Sequence, residues 1–326
     1  MTAAPTMSRA VLLERLPGYV GQFLLLLTLA WIAWHAAANF QANARALHLA
    51  TGFAFLHTQA GFQIAQTLTP FGPESSYLAA IVAAVLNTLL VVVLASAIST
   101  LLGIAVAFGR LSPPGLVRGA AALYVEVFRN IPLLLQILFW YALTIGLLPG
   151  VADSIELGGA LLNNRGLFLP LGGDRPHVDG FAVSGGIAIL PELMALTLGL
   201  SIYNSTFLAE IFRAGILSVP RGQIEAAHTV GLTGVRAAML VTMPQALRVA
   251  LPAAGGQYQT LAKASSLAAA IGYADIMQIV GGTVASQTSQ ALEAMVLVAL
   301  LYAAINLLIA LAVALANHRL LAHEGR

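Results

Sequence analysis

The chain has 326 residues, of which 59% are hydrophobic and only 9% are charged. Because soluble domains carry about 25% charged residues, this composition excludes an ordinary water-soluble domain and favours a protein whose solvent is largely lipid. The chain contains no cysteine, its seven histidines are scattered and its formal net charge is only +2, so we expect no disulfide, no metal site and no nucleic-acid partner.

Apolar stretches of roughly 20 residues, the length that crosses a bilayer, predict an all-α, polytopic membrane protein with about six transmembrane helices. The first stretch ends in tryptophans that suit an interfacial belt, and it lacks a convincing cleavage site, so it is predicted to be a retained anchor. In chain order the predicted spans cover about residues 20–37, 77–108, 132–148, 187–211, 249–271 and 292–316.

The polar segments between these spans suggest two domains. Residues 1–76 contain the anchor and an external segment that is too polar to span but rich in phenylalanine. Residues 77–326 form the core, with a polar hairpin at about 213–248. The stretch 149–184, rich in Gly, Pro, Asn and Asp, is predicted to be an external loop, and Asp275 lies in a short connector before the last span.

The basic residues are concentrated on alternate polar flanks of the predicted spans. Because Lys and Arg accumulate at the cytoplasmic ends of spans, both termini and the hairpin are predicted to be cytoplasmic. The arginines on this side are Arg9, Arg15, Arg110, Arg118, Arg213, Arg221, Arg236, Arg248, Arg319 and Arg326.

The hairpin consists of two short helical runs, 223–230 and 235–241, separated by a glycine-bounded break at 231–234. Ala226 and Ala227 are small, so the first run is able to press its backbone into a groove on another protein. The chain has no Gly-rich phosphate loop, and its only lysine, Lys263, lies in an apolar segment. If ATP drives this protein, the ATPase is a separate polypeptide, and we expect it to dock on the hairpin.

A family resemblance follows from the residues of the hairpin. Glu225-Ala226-Ala227, then Gly231, then Val241-Thr242-Met243-Pro244 resemble the EAA signature of bacterial ABC importer permeases, with Val and Met in place of the usual Ile and Leu. Residues 124–134, 207–216 and 263–267 resemble the polar amino acid branch of these permeases. Residues 52–62 and 163–166 are similar more particularly to the general L-amino-acid importer permeases.

The resemblance implies a type I ABC importer permease core preceded by an N-terminal helix, in the bacterial inner membrane. It implies that Glu225, Ala226, Ala227, Gly231 and Pro244 couple the chain to separate ATP-binding cassette subunits, which hold ATP and Mg²⁺, and that this chain binds no cofactor itself. It also implies an amino acid substrate, a second permease chain that is more often different than identical, and an extracytoplasmic solute-binding protein that meets the external segments.

One departure from the subfamily concerns the interval before the fourth span. Members of the subfamily carry about two further spans after the stretch that corresponds to 163–166. In this chain only residues 167–184 fill that interval, and they are too few and too polar for a crossing. Because two spans are missing together, the predicted sidedness is unchanged.

Candidate residues of a substrate path lie on the fifth span. Gln259, Lys263 and Ser266 fall at i, i+4 and i+7 and therefore share one helix face. An ammonium at membrane depth costs about 2.5–3.5 kcal/mol, so Lys263 needs a partner or a wet cavity. One hypothesis is that Lys263, with Ser265, Ser266 and Gln259, lines the path and meets a substrate carboxylate.

The alternative for Lys263 is a permanent ion pair with Glu210 or Glu126 that only pins helices together. Glu210 is itself a candidate to bind the ammonium of an amino acid, since a zwitterion needs partners of both signs, but a pair with a nearby arginine is the favoured interpretation. Asn130, two positions before a proline, is predicted to loosen the helix end toward a cavity, into which Gln136 points one turn later.

Two other classes of function are weaker on this sequence. An ion-coupled secondary transporter of small polar solutes is disfavoured because few acidic residues lie within the predicted spans. A membrane-embedded enzyme is disfavoured because no nucleophile–base or metal constellation occurs. The sequence leaves open which amino acids are carried, and which permease chain holds the substrate pocket.

Overall fold

The computed structural model describes residues 9–46, 51–171 and 173–322, and most of these residues are helical. Contacts divide the chain into two units, Met1–Gly52 and Phe53–Arg326. The first unit contains helix α1 (Arg9–Ala46), which is longer than the predicted span 20–37 and includes an apolar stretch, Gly18–Asn43, long enough to cross a membrane.

Residues 53–76 belong to the second unit, whereas the sequence suggested a domain boundary after residue 76. A 3₁₀ helix, Ala54–His57, buries Phe55, and the ring centroid of Phe55 lies 6.0 Å from that of Tyr77. The ring of Phe62 lies 6.4 Å from the same tyrosine. Residues 53–76 group with the second unit because the rings of Phe55 and Phe62 pack on Tyr77, the first residue of the next helix.

Helices α2 (Tyr77–Leu111) and α5 (Pro191–Leu217) form the centre of the second unit. Their backbones approach closely where a glycine meets the partner helix: a Cβ atom added at Gly103 would lie 2.8 Å from the Cβ of Leu208. Small residues at such contacts are typical of membrane helix bundles. Helix α4 (Leu133–Leu147) and helix α8 (Met243–Ala264) pack against α5, and α10 (Ala291–Ala322) packs on α8.

A sharp bend comes just before the third predicted span. Helix α3 (Leu116–Asn130) and α4 meet at 102° across Ile131 and Pro132, because proline lacks the N–H that would continue the helix ladder. Helix α4 alone covers only about 22 Å at 1.5 Å per residue. Five helices in the described residues are long and apolar enough to span by themselves, and the bent pair brings the number to six.

The second arm of the hairpin continues into the fifth span, whereas the sequence suggested a separate helix and a span that starts at 249. After α6 (Arg221–Thr229), helix α7 (Gly234–Ala237) leads through a π-helical turn, Ala238–Thr242, directly into α8. The Met243 N–H bonds to the carbonyl of Ala238 in this wide turn, and the widened helix accommodates Pro244, which donates no hydrogen bond.

The stretch predicted to be a loop before the fourth span folds into small antiparallel sheets. Strands β1 (Ile155–Leu157), β2 (Ala160–Asn163), β3 (Gly166–Leu169) and β6 (Ile187–Ile189) are ordered β1-β2-β3-β6, and β4 (His177–Asp179) pairs with β5 (Ala182–Ser184). The fourth span therefore begins at Pro191 and not near 187, since Ile189 pairs with Leu167 of β3. The strands have three or four residues each, so the fold remains helical.

The predicted connector between the last two spans is also helical. A π-helical stretch, Met277–Val284, and α9 (Ala285–Thr288) follow Asp275. Ile276, Val280 and Val284 are buried in the core. The apolar residues around the glycines at 281–282 therefore supply a packed face.

Candidate functional site

The tip of the hairpin has a well-defined backbone geometry. Gly231 has φ +81°, and the helix α6 ends in a Schellman motif: the N–H of Gly231 donates to the His228 carbonyl at 3.0 Å, and the N–H of Leu232 donates to the Ala227 carbonyl at 2.9 Å. A glycine adopts this left-handed conformation without steric cost. The glycine of the signature is therefore required by the turn that orients α6.

The hairpin presents small and apolar side chains outward. Glu225 and Ala226 are exposed, whereas Ala227 is buried against its own chain and Pro244 is half-buried. Val230 and Val235, on either side of the turn, are 74% and 73% exposed. Glu225 is the fifth residue of α6, beyond the first turn where a helix N-terminus favours a carboxylate.

Glu210 lies on α5 between two arginines. One carboxylate oxygen, Oε1, accepts a hydrogen bond from Nη1 of Arg110 on α2. The other oxygen, Oε2, accepts from Nε of Arg213 at 3.1 Å and from its Nη2 at 2.9 Å. This arrangement matches the pairing alternative for Glu210, because both oxygens already have cationic donors.

The lysine of the fifth span does not share that carboxylate. The side chain of Lys263 is exposed, and among the residues that the structure describes it forms no ion pair. Gln259 donates from Nε2 to the carbonyl of Asn306 at 3.1 Å. Ser265 is fully buried, with its hydroxyl on the Ala262 carbonyl at 2.9 Å, because the helix tightens into a 3₁₀ segment there.

Gln136 and Asn130 lie at the bend between α3 and α4. Gln136 is buried, and its Nε2 donates to the carbonyls of Phe128 at 2.7 Å and Ile131 at 3.0 Å. These are carbonyls that the end of α3 leaves without helical partners. Gln136 therefore stabilises the bend, whereas Asn130, the last residue of α3, is exposed.

A buried polar network, which the sequence analysis missed, joins the connector to α2 and α10. Asp275 is 1% exposed; its Oδ2 accepts from the Tyr302 hydroxyl at 2.7 Å and its Oδ1 accepts from the Gln278 N–H at 2.8 Å. Asn87 donates to the Ala274 carbonyl at 3.0 Å. Burial raises the pKa of Asp275 to about 6. The sequence signal that could have revealed this network was the single carboxylate of Asp275 between two apolar segments.

A cavity of about 410 Å³ opens beside this network. It is lined by the segment 62–66, by the start of α5 and by the connector. The carboxylate of Glu192 faces it and accepts a hydrogen bond from the Tyr141 hydroxyl at 3.1 Å. The cavity and the hairpin lie at opposite ends of α5. In the described part of the chain, no group of three His, Asp or Glu side chains is arranged to hold a metal ion.

Sequence comparison places these features among known proteins. The sequence profile of a family described as "Binding-protein-dependent transport system inner membrane component" matches residues 99–322. The chain is 34% identical to the general L-amino acid transport system permease protein AapQ of Rhizobium johnstonii, over 89% of this chain and 88% of that protein. It is 36% identical to the putative amino-acid ABC transporter permease protein YhdX of Escherichia coli K12, over 83% and 86%.

Solved structures share the fold. The crystal structure of an amino acid ABC transporter with histidines matches with a TM-score of 0.56 at 27% identity, covering 74% of this chain and 95% of that one. The inward-facing MetNI methionine ABC transporter matches with a TM-score of 0.55 at 20% identity. The alignment to AapQ has 355 positions, more than the 326 residues of this chain, so that relative carries segments absent here.

Proposed function

Because this chain belongs to the family of binding-protein-dependent transport system inner membrane components, and is the transmembrane permease subunit of an amino acid ABC transporter, we propose that its hairpin couples substrate movement to ATP hydrolysis on separate subunits. Glu225, Ala226, Ala227, Gly231 and Pro244 form or orient the coupling surface. ATP-binding cassette subunits, which carry ATP and Mg²⁺, dock on it.

The observation that carries this proposal is the exposed apolar tip of a rigid hairpin. Val230 and Val235 are exposed on either side of Gly231, and the carboxylate of Glu225 on α6 is exposed as well. Contiguous exposed apolar surface with a polar rim marks a protein contact. The hydrogen bonds that end α6 hold the tip in one shape, so a movement of the docked subunit is transmitted to α5 and α8 as rigid bodies.

The substrate path in this proposal follows the face of α8 that carries Lys263. An exposed ammonium on a membrane helix needs a water-filled cavity or a counter-charge. A path between two permease chains supplies the water, and the carboxylate of an entering substrate supplies the counter-charge. Gln259 and Ser266 lie on the same side as Lys263, and Asn130 lines the bend. Ser265, Gln136 and Glu210 hold these elements in position through bonds within the chain.

The assembly that we propose has two permease chains of different sequence in a bacterial inner membrane. Both termini and the hairpin face the cytoplasm, in keeping with the arginines on that side. A solute-binding protein delivers the amino acid at the opposite end, where the segment 53–76, the small sheets and the 410 Å³ cavity lie.

The test is uptake by the purified transporter, co-expressed with its ATP-binding subunits and reconstituted in vesicles. Glu225→Ala removes an exposed carboxylate, so the chain should still insert and assemble, while uptake per ATP hydrolysed falls about tenfold, the loss expected for one charged contact. Gly222→Ala, which changes another exposed residue of α6 with open space around it, is the control and should be silent.

Two results would contradict this function. Unchanged coupled uptake in Glu225→Ala would remove the hairpin from the coupling mechanism. Uptake by this chain without ATP, abolished by an ionophore, would instead identify an ion-coupled secondary transporter.

A further inference from the structure

Helix α3 packs on the core along one side and exposes apolar residues on the other. Val125 is buried, and the neighbouring Tyr124 hydroxyl hydrogen-bonds the Ser205 hydroxyl of α5 at 2.8 Å, so one face packs on the core. A second face exposes a stripe of apolar residues, of which Leu116 is 94% and Leu123 is 63% exposed. Arg118 lies about 140–160° around the helix from Leu116 and Leu123, at ~100° per residue, and therefore on the same side of α3 as Val125. This distribution is typical of a helix that lies in the plane of a membrane interface.

The charged face of α3 meets further arginines at the adjacent ends of α2 and α5. Arg129 donates from Nη2 to the Thr206 carbonyl of α5 at 2.8 Å, and its guanidinium lies 4.6 Å from the centre of the Phe207 ring. Arg129 Nε is buried and, within the described residues, has no hydrogen-bond partner. Arg129 is therefore fixed in place against α5 by these two contacts.

These charges do not cancel. Arg110 is repelled by Arg118, Arg129 and Arg213, and attracted by Glu126, so the groups lie within electrostatic reach of one another. Glu210 is occupied by Arg110 and Arg213. We call the six side chains the basic cluster; its four guanidiniums and two carboxylates leave a net charge of +2. The members are Arg110, Arg118, Glu126, Arg129, Glu210 and Arg213.

We propose that the basic cluster binds the phosphate of an anionic phospholipid in the membrane leaflet at this end of the bundle. Guanidinium groups bind phosphate oxygens through paired N–H donors. Arg110 and Arg213 lie near the ends of membrane helices, at the depth of lipid headgroups, and basic pockets between such helices bind anionic headgroups. The exposed apolar stripe of α3 meets the acyl chains, which selects a lipid over free phosphate. The proposal requires only that the chain spans a membrane, and it does not depend on the substrate or on coupling.

The experiment is native mass spectrometry of the purified transporter, titrated with phosphatidylglycerol or phosphatidylcholine. We expect phosphatidylglycerol to bind more tightly than phosphatidylcholine. Arg118→Gln should weaken phosphatidylglycerol binding about fivefold, and Arg118→Gln with Arg129→Gln more than tenfold, the effect expected for one and two basic groups at an anionic membrane surface. Arg165→Gln, which removes an exposed arginine in the turn between β2 and β3, is the matched control and should change nothing.

Three results would overturn the proposal. The two lipids bind equally; or the Arg118 variant binds phosphatidylglycerol as the unmodified protein does; or millimolar inorganic phosphate displaces the lipid, which would identify a site for free phosphate. Arg118 is exposed, so its replacement leaves the fold intact. Lipid retention is measured without turnover, so it is independent of whether the hairpin couples transport.

Discussion

Small residues are gathered both at the interface of α2 with α5 and on the hairpin, but their environments are opposite. At the interface Gly103 lies against Leu208 and the backbone of Ala209, and nothing separates the two helices. On the hairpin, Ala226 is exposed and Gly231 has open space around it. The same residue type thus closes a contact within the chain in one place and leaves a surface free for another protein in the other.

Polar side chains also fall into two groups, those that are bonded within the chain and those that are exposed. Asp275 and Glu210 find their partners within the chain, whereas the side chains of Lys263 and Glu225 extend away from it. The comparison teaches that burial within one chain separates residues that maintain the permease from the residues that we propose act on partners. Changes to the first group should alter folding, and changes to the second should alter transport alone.

The largest effect is expected at the α2–α5 interface. Gly103→Leu would place a side chain where even a Cβ lies 2.8 Å from Leu208 Cβ and 3.3 Å from the backbone N of Ala209. Overpacking of this kind costs about 3 kcal/mol, so the amount of folded chain extracted from membranes should fall sharply. Gly256→Leu, in the same kind of helix but with no neighbour within 4 Å, is the control. Equal yield and thermal stability of both variants would show that α2 and α5 can move apart without loss of the fold.

Lys263→Met tests the group that extends away from the chain. Because the ammonium has no ion pair among the described residues, its loss should leave assembly and thermal stability unchanged. Uptake should fall about tenfold, as expected when a charge-assisted contact of about 1.5 kcal/mol is removed. The measurement is the initial rate of uptake in vesicles at equal amounts of assembled transporter. Uptake at the unmodified rate would remove Lys263 from the substrate path.

The pH dependence of stability tests the residue buried in the connector. The pKa of Asp275 is raised from 3.8 to about 6, so its protonated form stabilises the fold fully below pH about 4, and this contribution is lost as the pH rises through about 6. Asp275→Asn stays neutral, so its stability relative to the unmodified chain should rise across this window, by about 3 kcal/mol.

The measurement is the thermal midpoint from pH 4 to pH 8. Asp179→Asn, an exposed carboxylate on β4, should show no such trend relative to the unmodified chain. A difference between Asp275→Asn and the unmodified chain that stays constant with pH would mean that the carboxylate is already ionised throughout.

The last prediction concerns the hairpin turn, where a substitution changes only the backbone conformation. Gly231→Ala places a side chain at φ +81°, which costs about 1–2 kcal/mol and tilts α6 away from its docked orientation. ATP hydrolysis should continue while uptake per ATP falls, with normal insertion. Gly222→Ala, also on the hairpin, with open space and ordinary φ, should behave like the unmodified chain. If both variants are fully coupled, the turn does not set the coupling geometry.

Much of this architecture was predictable because hydrophobicity is a local property. The spans on α2 and α10 and the all-α class follow from apolar runs, and comparison with known proteins confirmed the family suggested by the hairpin spacing. The strands between 155 and 189 were missed because three-residue strands have no periodicity to read, and the start of α5 was misplaced because Ile189 is apolar yet pairs with β3.

The site residues show the limit of such reasoning. The face shared by Gln259 and Lys263 follows from helix geometry, but the 3₁₀ turn that buries Ser265 does not. Nothing local indicates that Gln136 bonds to Phe128 and Ile131, since its partners exist only once Pro132 has bent the chain.

By itself the sequence determined which segments are apolar enough to span a membrane, that no nucleotide-binding loop is present, and that the chain turns at Gly231, because each depends on residues close together in the chain. Only the tertiary structure decided which charges are used internally. Arg110 and Glu210 are one hundred residues apart, and Asp275 reaches Tyr302 on another helix. Ion pairs and buried carboxylates depend on distances in space, and these are set when the helices pack.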